Sequence, residues 1–324
     1  MAVQSGLSSS TVAACTFSVV SSVSIVVVNK FLISTLGYKY VTTLTSWHML
    51  ATALFLHLMR GRIFEPKAVE TKPLMQFALL NGFSIGFLNL SLGFNSVGFY
   101  QMTKLAIIPF TVIVQTSFYN KFFSTKVKMS LWLLLAGVGI ATVTDMQLNP
   151  TGCIMSGLAI VTTCISQIWT NTMQKQLGVT STQLLYKSSP IMFLTLLCMG
   201  IPLDFYLTGS SPFSYEYHSE VVVVIIMTCL IAIAVNFSTF LVIGKCDAVT
   251  YQVLGHLKTC LVLIFGFTLL RNEATSRNLL GIGVAVVGMI AYAHYENQEK
   301  QAAKETLPTT NADSGNGSGG SGKL

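Results

Sequence analysis

The chain has 324 residues, 52% of them hydrophobic and only 10% charged, with a mean hydropathy of +0.64 and a net charge of +7. Soluble domains carry about 25% charged residues, so the composition excludes a water-soluble globular enzyme and indicates a membrane-embedded protein. The seven cysteines show no CxxC or Cys/His spacing, which argues against a zinc site or a redox motif and leaves them as small buried hydrophobes.

Little precedes the first apolar run, and what does precede it lacks Lys and Arg, so neither a cleavable leader nor an Arg-rich transit peptide is expected. Crossing about 30 Å of hydrocarbon takes about 20 apolar residues. Ten runs approach that length, near 11–34, 41–59, 74–95, 98–119, 130–146, 152–173, 184–206, 219–243, 248–270 and 278–295. From about Glu296 the chain turns polar and ends in a Gly/Ser-rich stretch, which predicts a disordered tail over 297–324.

Ten spans put both termini on one side. That side collects thirteen of the Lys and Arg residues: four over 60–72, three over 121–128, two over 175–187, one at 245 and three over 300–323. The opposite side has three, Lys39, Arg271 and Arg277. The bias predicts cytosolic termini.

The fourth and ninth runs each hold a lysine, Lys104 and Lys258, with no acid in the same run; the acids of the chain fall in loops or at span ends. A lysine at the centre of a lipid-embedded helix costs about 2.5–3.5 kcal/mol on insertion scales. The missing negative charge can arrive with a ligand. A pattern repeats around the two lysines. Tyr100-Gln101, a lysine-bearing run, a short basic link and a Gly-rich run recur from Tyr251-Gln252, and an offset of 151 matches Lys126 with Arg277 and Gly137 with Gly288. Five spans per half is odd, so the second half must be inverted, a recurring transporter design with its site between the halves. The expected fold is an all-α membrane protein of ten transmembrane helices in two inverted five-helix repeats, 1–147 and 148–296.

On a helical wheel Tyr100, Lys104, Thr111 and Gln115 share an arc of about 60°, and Tyr251, Gly255 and Lys258 form one face flanked by Gln252, His256 and Thr259. Under the offset Lys258 falls three residues past the match of Lys104, about one helical turn, so both ammonium groups can face one cavity. Two cations with a glycine between aromatic neighbours suit a phosphate-bearing ligand. Gln167, Thr170, Asn171 and Gln174 make a polar stripe on the sixth run, which faces a cavity or a partner helix. Lys30 can snorkel to the membrane edge or serve the site. Gly82, Gly86, Gly137, Gly139, Gly281, Gly283 and Gly288 read as close helix packing. Enzyme motifs, metal-ligand clusters and intramembrane carboxylates are absent from the sequence, which argues against catalysis, a metal or cofactor, and proton coupling.

At Asn29-Lys30, at LNLSLGFNSVGFYQMTKLAIIPFTV and at VNFSTFLVIGK with VTYQVLGHLKTCLVL the chain resembles the nucleotide-sugar and triose-phosphate translocator family of the drug/metabolite transporter superfamily. The resemblance implies the drug/metabolite transporter fold and exchange of a nucleotide sugar for the nucleoside monophosphate. Plastid phosphate translocators of the family carry Lys-Arg in span nine. This chain has Lys258-Thr259, which points to the nucleotide-sugar branch. LTSWH, FYQMTKLAIIPF and GHLKTC look like the plant Golgi UDP-xylose transporters. UDP-galactose and UDP-rhamnose/galactose transporters share much of the pattern, and an organic-phosphate (triose-phosphate or phosphoenolpyruvate) translocator is the smaller-site alternative. The resemblance thus implies UDP-sugar and UMP as ligands, the Golgi or endoplasmic reticulum bilayer as the setting, no nucleic acid, and room for a homodimer. The implied binding residues are Lys104, Lys258, Thr259, Tyr251, Tyr100, Gly255, His256, Lys30, Asn29, Gln167 and Asn171.

Overall fold

The structure, a computed structural model, describes residues 9–95, 97–142, 150–269 and 276–305. These form ten helices: α1 Ser9–Ser34, α2 Val41–Met59, α3 Thr71–Phe94, α4 Val97–Phe118, α5 Thr125–Thr142, α6 Pro150–Gln176, α7 Ser181–Thr208, α8 Ser219–Lys245, α9 Ala248–Leu269 and α10 Ser276–Glu305. Among the described residues each expected apolar run overlaps one helix, with ends that shift by several residues. Helices are what lipid demands, because each backbone N–H and C=O must find its partner within the segment. Six of the ten (α1, α3, α6, α7, α8 and residues 279–299 of α10) are long and apolar enough to cross a bilayer by themselves. The molecule is a multi-pass membrane protein.

Helix ends follow local chemistry. Thr180 and Gln183 form a capping box at the start of α7, and Gly209 ends that helix in the left-handed conformation. Asp247 opens α9 by accepting from the Thr250 N–H at 2.7 Å. Asp204, buried near the end of α7, accepts from the first N–H groups of α2, Thr42 at 3.2 Å and Thr43 at 2.7 Å. Those groups lack intrahelical partners, so this carboxylate pins α2 to α7. Glu296 is also buried, and α10 runs on to Glu305 rather than fraying at Glu296. Gln, Glu, Lys and Ala are good helix formers, and Glu299 accepts from the Ser124 N–H at 3.3 Å. Asp145, Arg271 and the Gly/Ser stretch lie outside the described residues.

Two apolar cores organise the bundle. One is built from α4, α5, α9 and α10, with Leu134, Val138, Val253 and Ala285 at its centre. The other is built from α2, α3, α6, α7 and α8, with Phe77, Leu185, Met192 and Phe240. α5 packs along α10, α2 along α7, α3 along α6 and α1 along α8. Glycine makes the first of these contacts. A Cβ on Gly137 would lie 2.3 Å from the backbone nitrogen of Ala285, and one on Gly288 would lie 2.4 Å from that of Leu134. Gly139 and Gly283 play no such part: the first meets only Leu105 at 3.8 Å, and the second meets nothing within 4 Å. Where the α1–α2 and α7–α8 connections meet, Tyr38, Tyr40, Tyr215 and Tyr217 pack edge to face or tilted, with centroids 5.2–6.2 Å apart.

Candidate functional site

Between the two cores lies a cavity of about 460 Å³, walled by α1, α3, α4, α6 and α9. Tyr100 and Lys104 enter it from α4, and Tyr251, Gln252, Gly255, Lys258 and Thr259 from α9. No carboxylate is among its lining residues. Lys104 and Lys258 thus face one and the same cavity. Neither has an ion-pair partner among the described residues.

What holds each lysine is neutral. Lys258 Nζ donates to Ser18 Oγ at 2.9 Å and sits 5.3 Å from the Tyr251 ring centroid. Lys104 Nζ sits 5.7 Å from the Tyr100 ring. Lysine and tyrosine are one turn apart on α4 and two turns apart on α9, so each helix carries its own ring for its own cation. An ammonium has three donors, and Ser18 takes one of those on Lys258. A Cβ at Gly255 would meet nothing within 4 Å, so the missing side chain leaves room beside Lys258. The arrangement offers a divalent positive pocket for an anion.

A second chamber of about 310 Å³ shares Ile25, Leu88, Thr163, Gln167 and Tyr251 with the first. Its walls carry no Lys, Arg, Asp or Glu and mix polar with apolar side chains. They include His48 (Nε2 to Thr228 Oγ1, 3.1 Å), Asn81, Asn236 (donating to Thr52 Oγ1, 2.9 Å) and Thr239, 3.4 Å from the Tyr251 hydroxyl. Together the chambers lie within the about 300–1,000 Å³ of small-molecule sites.

Residues 10–293 match the model of the Triose-phosphate Transporter family. The chain belongs to that family. UDP-xylose transporter 3 of Arabidopsis thaliana is 59% identical over 298 residues, covering 91% of this chain and 84% of that protein. UDP-xylose transporter 2 of the same plant is 58% identical over the same length. UDP-rhamnose/UDP-galactose transporter 2 is 36% identical over 302 residues, 92% of this chain and 87% of that protein. A solved crystal structure superposes with a TM-score of 0.65 at 12% identity, covering 90% of this chain and 99% of the other, a likeness of fold alone. This triose-phosphate transporter family member is a transporter and not an enzyme.

Of the residues singled out in its sequence, Tyr100, Lys104, Gln167, Tyr251, Gly255, Lys258 and Thr259 line the lysine chamber. Four others are not among the lining residues of either chamber. Asn171 donates to the carbonyls of Ile243 (2.8 Å) and Cys246 (3.1 Å) and so closes the end of α8. His256 is buried, with no partner for Nε2 among the described residues. Asn29 and Lys30 sit near the far end of α1, Lys30 exposed. Thr111 and Gln115 are buried and are not among its lining residues, and Thr111 donates to the Ile107 carbonyl at 2.7 Å. The side chain of Gln101 lies outside the described residues. Sequence reasoning missed Ser18 and Ser22 of α1. Their spacing, with Ser21 between, marks one helix face, but serines bonding their own helix produce the same pattern.

Proposed function

We propose that the protein is a nucleotide-sugar antiporter of Golgi membranes, carrying cytosolic UDP-sugar, with UDP-xylose as the preferred cargo, in exchange for lumenal UMP. The observation that carries the reading is the meeting of Lys104 and Lys258 in one cavity without a carboxylate among the lining residues. The diphosphate lies between these lysines, with Tyr251 and Thr259 assisting. The neutral chamber beside Gln167 receives the rest of the ligand. Relatives 57–59% identical that are named UDP-xylose transporters favour that cargo. The 36% identical UDP-rhamnose/UDP-galactose transporters favour the same nucleotide with a different sugar as the second reading.

The carrier works as two inverted five-helix halves, 1–147 and 148–296, that rock against each other. Helix packing supports this. An offset of 151 turns the contact of Gly137 with Ala285 into that of Gly288 with Leu134. The same exchange of halves turns α3 on α6 into α8 on α1, and returns α2 on α7 and α4 on α9 to themselves. Without an anion the two ammonium groups face each other in a medium of low dielectric, and repulsion opposes closure. UMP on the return leg relieves it, which couples export to import. Both termini face the cytosol.

Proteoliposomes test the reading. UMP-loaded vesicles take up UDP-xylose and empty vesicles take up far less. Equal uptake by both would mean uniport and would remove the repulsion argument. UDP-galactose uptake equal to that of UDP-xylose would move the cargo to the second reading. Cysteine labels at 305 and 212 react from opposite sides of sealed vesicles, cytosolic and lumenal; reaction from one side sinks the ten-span topology.

A further inference from the structure

A groove of about 350 Å³ runs between α4 and α5 on the outside of the bundle. Ile113 on one wall and Trp132 on the other are 60% and 63% exposed. The deep part is apolar, with Pro109, Val112 and Ile113 from α4 and Leu131 and Leu135 from α5. The other end is polar. Thr116 and Ser117 lie near the end of α4, and Lys128 lies near the start of α5. Lys128 and Leu135 are about 10 Å apart along α5. The polar end faces the side where α10 finishes, since Glu299 of α10 accepts from the Ser124 N–H of the α4–α5 link. Trp132 beside it suits a membrane–water interface, where indole rings collect.

Charge sets this groove apart. Of the neighbouring lysines, Lys121 pairs with Asp247 and Lys126 stands 5.7 Å from the Tyr295 ring. Lys128 has no ion-pair partner among the described residues, and no acid occurs from 97 to 142. A second copy of this chain docked symmetrically would set the patch against itself, lysine beside lysine with no acid for either. A zwitterionic lipid brings an ammonium of its own that finds no carboxylate here. A net-negative headgroup meets Lys128 and two hydroxyls, while its acyl chain follows the apolar walls. Another outward groove, of about 430 Å³ between α1, α2, α7 and α8, has no ionisable residue in its lining.

We propose that the α4–α5 groove is a binding site for one anionic glycerophospholipid, its phosphate on Lys128 with Thr116 and Ser117, and an acyl chain against Pro109 and Leu135. The site shares a wall with the lysine chamber. Ile107 lines that chamber and Ile108 lines the groove, so α4 separates lipid from cavity. Pro109 offers no N–H to the Leu105 carbonyl, so the chain braces α4 where its own ladder of hydrogen bonds is broken.

The test uses the full chain in phosphatidylcholine vesicles and reads tryptophan fluorescence. The probes are phosphatidylglycerol and phosphatidylcholine brominated in an acyl chain, which quench an indole they touch. Trp132→Phe assigns the share of the signal that belongs to Trp132. Brominated phosphatidylglycerol should half-quench Trp132 at a mole fraction about fivefold lower than brominated phosphatidylcholine, the effect of one lysine on an anionic lipid. Lys128→Gln should make the two lipids equal, and Lys126→Gln should leave the preference intact. Equal quenching of Trp132 by both lipids in the natural chain overturns the proposal, and that comparison stands if Lys128→Gln folds poorly. A preference that survives Lys128→Gln also overturns it. Trp132 shielded from both lipids would mean that a second copy covers the groove, and the lipid site would be withdrawn. Quenching is read without transport, so the result is independent of the exchange reading.

Discussion

Replacing Lys258 with methionine removes the ammonium while keeping an unbranched side chain of similar length. The consequences for binding and for stability run in different directions. In the ligand-free protein the ammonium has one hydroxyl partner, Ser18 at 2.9 Å, and a ring at 5.3 Å. Those contacts offset part of the about 2.5–3.5 kcal/mol that a lysine costs in mid-membrane. Methionine removes the cost together with the contacts and leaves one lysine instead of two lining the cavity, so the ligand-free protein should melt no earlier than the natural one. Binding suffers instead. Two N–H donors of Lys258 remain for a phosphate, and a hydrogen bond to a charged group contributes about 1.5–3 kcal/mol net. At about 1.4 kcal/mol per decade this raises the UMP dissociation constant about 10–140-fold. With UMP at about 100 times the natural constant, its stabilisation falls from about 2.7 to about 0.4 kcal/mol when affinity drops about 100-fold. Thermal unfolding in detergent, with and without UMP, reads both effects. A UMP-induced shift as large in Lys258→Met as in the natural protein would refute the anion site. A collapse of the ligand-free melting temperature would mean that Lys258 serves folding rather than binding. Lys258→Arg should also lose exchange, because a planar fork does not replace a compact ammonium in the space beside Gly255.

Two further outcomes concern the scaffold. Asp204→Leu leaves the Thr42 and Thr43 N–H groups buried without their acceptor. At about 1–3 kcal/mol each the loss is about 2–6 kcal/mol, seen as early melting or lost expression, while Asp204→Asn keeps an acceptor and is milder. Gly137→Ala places a methyl 2.3 Å from a backbone nitrogen of α10 and should unseat α5 from α10. Gly283→Ala, where nothing lies within 4 Å, should raise stability by about 0.5–1 kcal/mol in the same melting assay.

Much of this architecture follows from composition alone, for a reason peculiar to lipid. A bilayer forces each apolar run to satisfy its own backbone, so run and helix coincide, as 41–59 does with α2 residue for residue. The lysines stand out because charge is rare there. Polar uncharged residues carry no such signal. Gln167 and Asn171 lie on one stripe of α6, yet the first lines the chamber and the second closes the end of α8. Glycine is equally ambiguous: Gly137 and Gly139 are neighbours in α5, and only the first meets another backbone.

The sequence by itself determined the membrane class, the approximate places of the helices, the pair of lysines without an acid in their runs and the offset near them, because each is a matter of local polarity or spacing. Only the tertiary structure decided that Ser18 receives Lys258, that Asp204 holds the start of α2, and that a neutral chamber adjoins the charged one. The hydrogen bonds among these join residues 161 to 240 positions apart. Residues so far apart meet only when helices have chosen their neighbours, and that choice depends on small-residue packing and hydrogen bonds between helices, which no periodicity within one helix encodes.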